Sequence, residues 1–287
     1  MKSLLPKHLI LFGLILFTSC SSKAQENKID AYINSLLLQK KFAGAAIAVL
    51  KDENVIFNKN YGFADLKNNI QITNSTTFNI MSITKNFIAF AVMKLADNNL
   101  INLDEPVKKY LKDILSKYNN VLIYQLLNHS SGIPDYVHII GYMAQANQTQ
   151  TPMEVLKPIF TESLEFNPGE KYAYSNSGYF LLGLLIEKVT GKKLSDYLKE
   201  NVFKPVEMNN TYLESDSTQN TLNAKGYTKL NGELKEEIRL NPSQYWAAGG
   251  IISTKDDLIK WDKALIKGII LQKKEINQMI QPSKVSN

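Results

Sequence analysis

A serine and a lysine three residues apart, Ser82 and Lys85, are the first residues whose types and spacing point to chemistry. Residues three apart share a helix face, so the lysine amine can lie beside the serine hydroxyl. The amine can activate that hydroxyl only when the amine itself is deprotonated. Burial among Ile83, Phe87 and Ile88 is expected to lower the pKa of the amine and so favour this neutral form. The free N–H groups of a helix start favour a developing oxyanion. The simpler interpretation is a helix cap at Ser82 and a solvated Lys85.

A second group of reactive side chains lies in segment 166–179, where a Pro-Gly turn precedes Tyr174 and Asn176. The Tyr174 phenol could exchange protons with the serine and lysine, and the Asn176 amide could hold a substrate carbonyl. The alternative is that Tyr174 packs a loop and Asn176 caps the helix that follows.

The hydrophobic periodicity indicates which elements must position these side chains. Residues 29–39 form an amphipathic pattern, and two strand-like runs at 44–50 and 55–61 flank a polar break, which predicts a β-hairpin. Segment 82–100 is apolar on all sides, so we expect a buried helix. The other predicted helices are 107–115, 121–128, 152–160, 178–190 and 195–202. The expected fold class is therefore α/β, in the α+β sense, with a largely helical middle behind an N-terminal hairpin.

The composition is that of a globular protein: 287 residues, 44% of them hydrophobic and 21% charged. A single cysteine excludes an internal disulfide, and histidines at positions 8, 129 and 138 offer no metal-ligand cluster, so we predict no metal site and no cofactor. The net charge of +6 is spread over scattered lysines. No concentrated basic patch results, and we therefore expect no nucleic-acid partner.

The first 24 residues resemble an export signal, with Lys2 and Lys7 before an apolar run at 9–17 that is too short to span a membrane. The interpretation we favour is a lipoprotein signal cleaved before Cys20, which would be lipidated. The alternative is ordinary cleavage after Ala24. We thus divide the chain into a signal peptide, 1–24, and one domain, 25–287, of an exported bacterial protein that is periplasmic or anchored to the membrane by lipid.

The two motifs, Ser82-Ile83-Thr84-Lys85 and Tyr174-Ser175-Asn176, together resemble the serine β-lactamase and penicillin-binding protein superfamily, in its class C-like branch. Further stretches similar to the family follow in the same order along the chain. They are 62–65, 77–81, 103–107, 126–135, 205–208 and 248–254. The resemblance covers about 44–261.

This resemblance implies an antiparallel sheet with flanking helices plus an all-α lobe. It makes Ser82 the acylated nucleophile, Lys85 its activating amine, Tyr174 a general base or acid and Asn176 a substrate-orienting amide. The counterpart of His129 belongs to a structural turn. The implied activity is a cell-envelope serine hydrolase acting on an amide, β-lactam or ester, with a small molecule or a peptidoglycan peptide as substrate. We expect a monomer.

The sequence departs from the family at a third motif. In the family, this motif is Lys or His two residues before a glycine, and it lies on a later strand that supplies an N–H donor to the oxyanion. No glycine of this sequence has Lys or His at that spacing. We therefore expect that the C-terminal strands of the sheet are missing, that domain 25–287 is incomplete and that catalysis is weakened. Without those strands the 44–61 hairpin would stand alone, and it would be marginally stable in water unless it packs against helices. The alternative function is an inactive pseudoenzyme that binds peptidoglycan peptides or an envelope partner; a purely structural lipoprotein is the least favoured hypothesis.

Overall fold

The computed structural model describes residues 25–112, 118–139, 146–215, 223–282 and 285. The predicted signal peptide 1–24, with Cys20, lies outside these residues. Within the described part of the chain, no helix is both long enough and apolar enough to cross a membrane. The fold has two compact units, one formed by the residues up to Thr73 with Lys225–Glu237 and the other by Asn74–Ala224 with Ile238 onwards.

The first unit contains the predicted hairpin, with strands β1 (Gly44–Lys51) and β2 (Asn54–Asp65) paired antiparallel. The connecting residues Asp52 and Glu53 both have positive φ, which is the backbone twist that two-residue hairpin loops favour. A short strand β3 (Ile70–Gln71) pairs with β2, so β1 is an edge strand in the described residues.

This hairpin does not stand alone, and it meets the expected condition for its stability, which is packing against a helix. Besides the third strand, helix α1 (25–38) supplies Ile33, which packs with Phe57 and Tyr61 of β2 in a small buried cluster. A hairpin needs such a partner, because two strands alone are marginal in water. The unit also contains a second hairpin, β6 (Tyr227–Leu230) with β7 (Glu233–Glu236).

The second unit is mainly helical and holds the larger apolar core. Its helices are α2 (Thr84–Asp97), α3 (Ile123–Leu127), α4 (Pro152–Leu156), α5 (Asn176–Thr190), α6 (Leu194–Leu198), α7 (Trp246–Gly249), α8 (Lys255–Lys267) and α9 (Lys273–Ile280). Its small antiparallel sheet has the strand order β4 (Phe78–Asn79), β8 (Ile251–Ser253), β5 (Tyr212–Leu213). These observations confirm the predicted class of antiparallel sheets with helices.

Several predicted helices are shorter than the apolar pattern suggested. In segment 152–160 the α-helix stops at Leu156 and a 3₁₀ turn follows, with Pro158 in its first turn, where the missing N–H costs least. In segment 107–115 the described residues form only the 3₁₀ turn Val107–Lys109, and 113–117 lie outside the described part. Periodicity alone does not distinguish these turns from α-helix.

Helix α2 is buried as predicted, and it anchors the second unit. Phe87 and Phe90 both contact the ring of Trp261 from α8, with centroids 4.4 and 4.9 Å apart. Aromatic pairs at this spacing add to the free energy of apolar burial. These contacts therefore hold the first turn of α2, which carries Lys85, in a fixed position.

A tight loop, 128–135, is hydrogen-bonded along its length to segment 165–175. The Gly132 carbonyl accepts from the Glu165 amide at 2.8 Å, the Ser130 carbonyl from Gly169 at 2.8 Å, and the His129 carbonyl from the Ala173 amide at 2.9 Å. This pairing places the tyrosine segment at a fixed position against the loop.

We predict that Gly132→Ala destabilises the protein more than Gly191→Ala does. Both glycines have positive φ, of 70° and 67°, but a Cβ at Gly132 would lie 2.2 Å from the Phe166 carbonyl oxygen, whereas one at Gly191 meets nothing within 4 Å. Backbone strain alone should lower the free energy of unfolding by about 1 kcal/mol in Gly191→Ala, and the added clash should bring the loss in Gly132→Ala to about 3 kcal/mol. Urea denaturation measures both values; equal losses would contradict the crowding inferred at Gly132.

Candidate active site

The nucleophile segment is a strand, a single 3₁₀ turn and then a helix. Strand β4 ends at Asn79, whose side-chain oxygen accepts a hydrogen bond from the Met81 amide at 2.7 Å, and Met81 has a φ of +46°. The turn Met81–Ile83 follows and α2 begins at Thr84. Ser82 is thus exposed just before the helix, while Lys85 lies one turn later among buried residues. The N-cap of α2 is Ile83, without a side-chain cap, so Ser82 does not serve as the cap.

The end of helix α7, just before strand β8, brings a backbone carbonyl to the same place. The Ile251 amide donates to Thr84 Oγ1 at 3.0 Å, and the Ile251 carbonyl accepts from the Ile80 amide at 3.0 Å. A Cβ on Gly250 would lie 2.8 Å from the Trp246 carbonyl oxygen, so a glycine permits the sharp passage from α7 into β8. Because of this passage, the Ala248 carbonyl oxygen lies 2.7 Å from Lys85 Nζ.

The tyrosine segment forms the third side of the site. Ser175 caps helix α5, its Oγ accepting from the Gly178 amide at 3.4 Å, so the alternative in which Asn176 caps this helix is wrong. Asn176 is instead the first helical residue, and its Oδ1 accepts from Lys85 Nζ at 2.9 Å. The Tyr174 hydroxyl donates to Ser82 Oγ at 2.8 Å. The structure therefore brings together all four side chains that the sequence selected.

Lys85 is 6% exposed, and burial lowers the pKa of its amine to about 8, against a weaker opposing effect of the Asp135 charge. The expected wall of Ile83, Phe87 and Ile88 is only partly correct, because Ile83 is half exposed. The amine instead lies over the rings of Tyr174 and Tyr179, 4.9 and 5.5 Å from their centroids. Burial therefore raises the share of molecules that carry a neutral amine near pH 7 above that of an ordinary lysine.

The hydrogen-bond partners of Lys85 decide the direction of its lone pair. The charged amine has three hydrogens and three acceptors, namely Ser82 Oγ at 3.2 Å, Asn176 Oδ1 and the Ala248 carbonyl. The two carbonyl-type oxygens can only accept. A neutral amine therefore keeps its two hydrogens on them and directs its lone pair at Ser82 Oγ. This geometry suits abstraction of the serine proton.

The two histidines of the described residues do not act on Ser82 in this arrangement. His129 Nδ1 accepts from the Ser175 amide at 3.2 Å, and burial first, then the Lys85 charge, lowers the pKa of its ring to about 4. Its ring packs on that of Tyr174 with centroids 4.5 Å apart. His138 is exposed. In the described part of the chain, no group of three His, Cys, Asp or Glu residues could hold a metal ion.

Sequence reasoning missed two groups that contact the site. One is the Ala248 carbonyl, which no side-chain pattern could reveal. The other is Asp135, 5% exposed, whose Oδ2 accepts from the Asn176 side-chain nitrogen at 2.8 Å. The signal for Asp135 was its position at the end of the family-like stretch 126–135, where a carboxylate amid apolar residues stands out.

We predict that covalent modification of Ser82 by a fluorophosphonate follows the ionisation of Lys85. The pKa of Lys85 is lowered in the folded chain, so the reactive neutral amine dominates above about pH 8 and falls tenfold per pH unit below it. The rate of mass addition, measured between about pH 6 and pH 10 with circular dichroism to verify folding, should rise with a midpoint near pH 8 and level off about one pH unit above it. A flat profile, or a midpoint near the ordinary lysine pKa, would contradict this role of Lys85.

We also predict that Tyr174→Phe slows this modification by about 10² or more, because it removes the hydroxyl that contacts Ser82 Oγ. Tyr172→Phe is the matched control: that tyrosine is two residues away, is also exposed, and contacts the same His129 ring with centroids 5.9 Å apart. The control should react at the wild-type rate. Equal rates for the two variants would remove Tyr174 from the proton-transfer step.

Comparison with known proteins shows the family of this chain. The Beta-lactamase family model matches residues 27–286. The D-amino acid amidase of Ochrobactrum anthropi is 30% identical, with a TM-score of 0.77 over 87% of this chain and 72% of that one. A penicillin-binding protein homologue from Pyrococcus abyssi is 31% identical, with a TM-score of 0.76 over 89% of this chain and 60% of that one. Protein flp of Staphylococcus aureus is 32% identical over 83% of this chain but 48% of its own length, so the chain spans about half of this curated relative. The chain belongs to the beta-lactamase family of serine hydrolases and penicillin-binding protein homologues.

Proposed function

We propose that this chain is a cell-envelope serine hydrolase that forms an acyl-enzyme on Ser82 from an amide, a β-lactam or an ester. The observation that carries the proposal is the convergence of two proton-transfer groups on one exposed hydroxyl: Ser82 Oγ lies 3.2 Å from the Lys85 amine and 2.8 Å from the Tyr174 phenol. A helix cap or a packing tyrosine needs neither contact.

The proposed cycle begins when Ser82 Oγ attacks the substrate carbonyl carbon and its proton passes to the neutral Lys85 amine. The Tyr174 hydroxyl, in contact with the same oxygen, gives its proton to the leaving amine or alcohol as the bond between that group and the carbonyl carbon breaks, and the proton taken up by Lys85 replaces it. Water or another acceptor then attacks the ester carbonyl carbon and gives its proton to Lys85. The ester C–O bond breaks, and this proton returns to Ser82 Oγ. Both ends of the Asn176 amide contact protein groups, so we assign it first to holding Lys85 and second to orienting substrate.

The substrate class that we propose is a small amide, or a peptide such as the stem of peptidoglycan. Support comes from relatives described as a D-amino acid amidase and a penicillin-binding protein homologue. Fold and motif alone do not fix the substrate within such a family. The Pyrococcus abyssi relative is described as octameric, so the relatives give no support to the expected monomer.

The proposed location is outside the cytoplasm, in the periplasm or anchored by lipid. It rests on the signal-like residues 1–24 and on the placement of the only cysteine, Cys20, after small residues.

The test is intact mass after incubation of the purified chain with a fluorophosphonate, beside Ser82→Ala. We expect one adduct on the wild-type chain and none on the variant, because only an activated serine reacts readily with this reagent. Absence of an adduct on protein shown to be folded by circular dichroism would overturn the hydrolase proposal.

The second candidate function is a pseudoenzyme that binds peptidoglycan peptides or an envelope partner. Its support is confined to residues 1–287, in which no glycine follows Lys or His at the spacing of the motif that supplies an oxyanion donor in the family that this chain resembles. Binding of a peptide ending in D-Ala-D-Ala that is equal in wild type and Ser82→Ala, without any adduct, would favour this candidate. Turnover that vanishes in Ser82→Ala would exclude it.

A further inference from the structure

Asp135 is a buried carboxylate whose two oxygens are both occupied by donors. Its Oδ1 accepts from the Val137 amide at 3.3 Å, and its Oδ2 accepts from the Asn176 backbone amide at 3.1 Å and from the Asn176 side-chain nitrogen at 2.8 Å. An ionised carboxylate can only accept hydrogen bonds. The NH₂ group of Asn176 must therefore face Asp135, and its carbonyl oxygen must face Lys85.

We propose that Asp135 is a positioning residue for acylation, which holds the Asn176 amide in the one orientation that directs the Lys85 lone pair at Ser82. This inference rests on the proposed function and adds a residue to it. Within the described residues, Asp135 forms no hydrogen bond with the nucleophile Ser82 or with its base Lys85, and it acts through Asn176. The chain of contacts is Asp135 to Asn176 at 2.8 Å, Asn176 to Lys85 at 2.9 Å, and Lys85 to Ser82 at 3.2 Å.

The opposite orientation of the Asn176 amide would reverse the polarity of the site. Its NH₂ group would then lie against the Lys85 amine, and a neutral amine would turn its lone pair toward that donor instead of toward Ser82. The Ala248 carbonyl would still accept one hydrogen, and the other would point at Ser82 Oγ. The amine could then no longer take the serine proton.

The charge of Asp135 also acts on Lys85. It raises the pKa of the amine, against the larger lowering by burial. The other titratable groups that face the amine are His129, Tyr174 and Tyr179. Burial lowers the pKa of His129 and raises that of Tyr179, so neither ring is charged near pH 8, and the charge that raises the pKa of Lys85 is that of Asp135.

The variant Asp135→Asn distinguishes two roles of Asp135, namely orienting the Asn176 amide and stabilising its own loop through the Val137 amide. The introduced amide keeps the shape of the side chain but has one accepting oxygen, so it satisfies either the Val137 amide or the two Asn176 donors. Asp257→Asn is the matched control. Asp257 is also a fully buried carboxylate whose Oδ2 accepts from a backbone amide, that of Asn210, and from the Thr211 hydroxyl.

The first measurement is the fluorophosphonate rate against pH for wild type, Asp135→Asn and Asp257→Asn, each with its urea midpoint. We expect the plateau rate of Asp135→Asn to fall about ten- to a hundredfold, the effect of losing a hydrogen bond to a charged group, while Asp257→Asn reacts like wild type at a comparable loss of stability. The midpoint of the Asp135→Asn profile should move to lower pH, because the charge that raised the pKa of Lys85 is gone. An unchanged plateau and midpoint would overturn the proposal.

A double-mutant cycle tests whether Asp135 acts through Asn176. Asp135→Asn should add little to the rate loss already caused by Asn176→Ala, since the same amide is removed in both. Losses that add fully in the double variant would show an independent, structural effect and would overturn the proposal.

Two measurements by nuclear magnetic resonance do not depend on reaction at Ser82. In the wild-type chain, the Asn176 side-chain NH₂ protons, assigned by their loss in Asn176→Ala, should exchange slowly with water, and the Lys85 amine should titrate at a higher pH than in Asp135→Asn. Exchange as fast as in a free carboxamide would overturn the proposal, even if Asp135→Asn does not fold. If the wild-type chain forms no adduct, the proposed function fails, and these two readouts still decide whether Asp135 orients Asn176.

Discussion

The buried amine of Lys85 is the constraint on which the site depends. A lysine at 6% exposure loses most of its hydration, and three oxygens accept the hydrogens of its charged form. Those oxygens come from three separate parts of the second unit: the turn before α2, the start of α5 and the end of α7. Each element must hold its oxygen within hydrogen-bond distance, so the packing of the unit is linked to the protonation of one side chain.

The packing explains why these three elements meet. Helix α2 is fixed by the aromatic contacts of Phe87 and Phe90 with Trp261, and β8 is fixed to the start of α2 by the hydrogen bonds of Ile251. Helix α5 approaches α7 closely because Gly183 has no side chain; a Cβ there would lie 2.7 Å from that of Ala247. Apolar burial thus supplies the rigidity, while the polar groups supply direction.

The fold was largely predictable because its signals are local. The hairpin at 44–61 and the buried helix near 82–100 follow from periodicity. The stretches similar to the family indicated the order of the other elements along the chain. The limits of the short helices were not predictable, since the 3₁₀ turns after α4 and at Val107–Lys109 have the same apolar spacing as α-helix over so few residues. The third strand and the Ile33 contact, which stabilise the hairpin, depend on partners outside it.

The sequence by itself determined which side chains are candidates for the reaction: a serine with a lysine one turn later, and a tyrosine and an asparagine at the start of a helix. Types and spacing suffice for that, because each pair lies within one local segment. Only the tertiary structure decided how they work together. The Ala248 carbonyl and Asp135 are distant in sequence from Lys85, and a backbone oxygen has no sequence signature at all. The direction of a lone pair is set by every acceptor around the amine, and those acceptors meet only when the chain is folded.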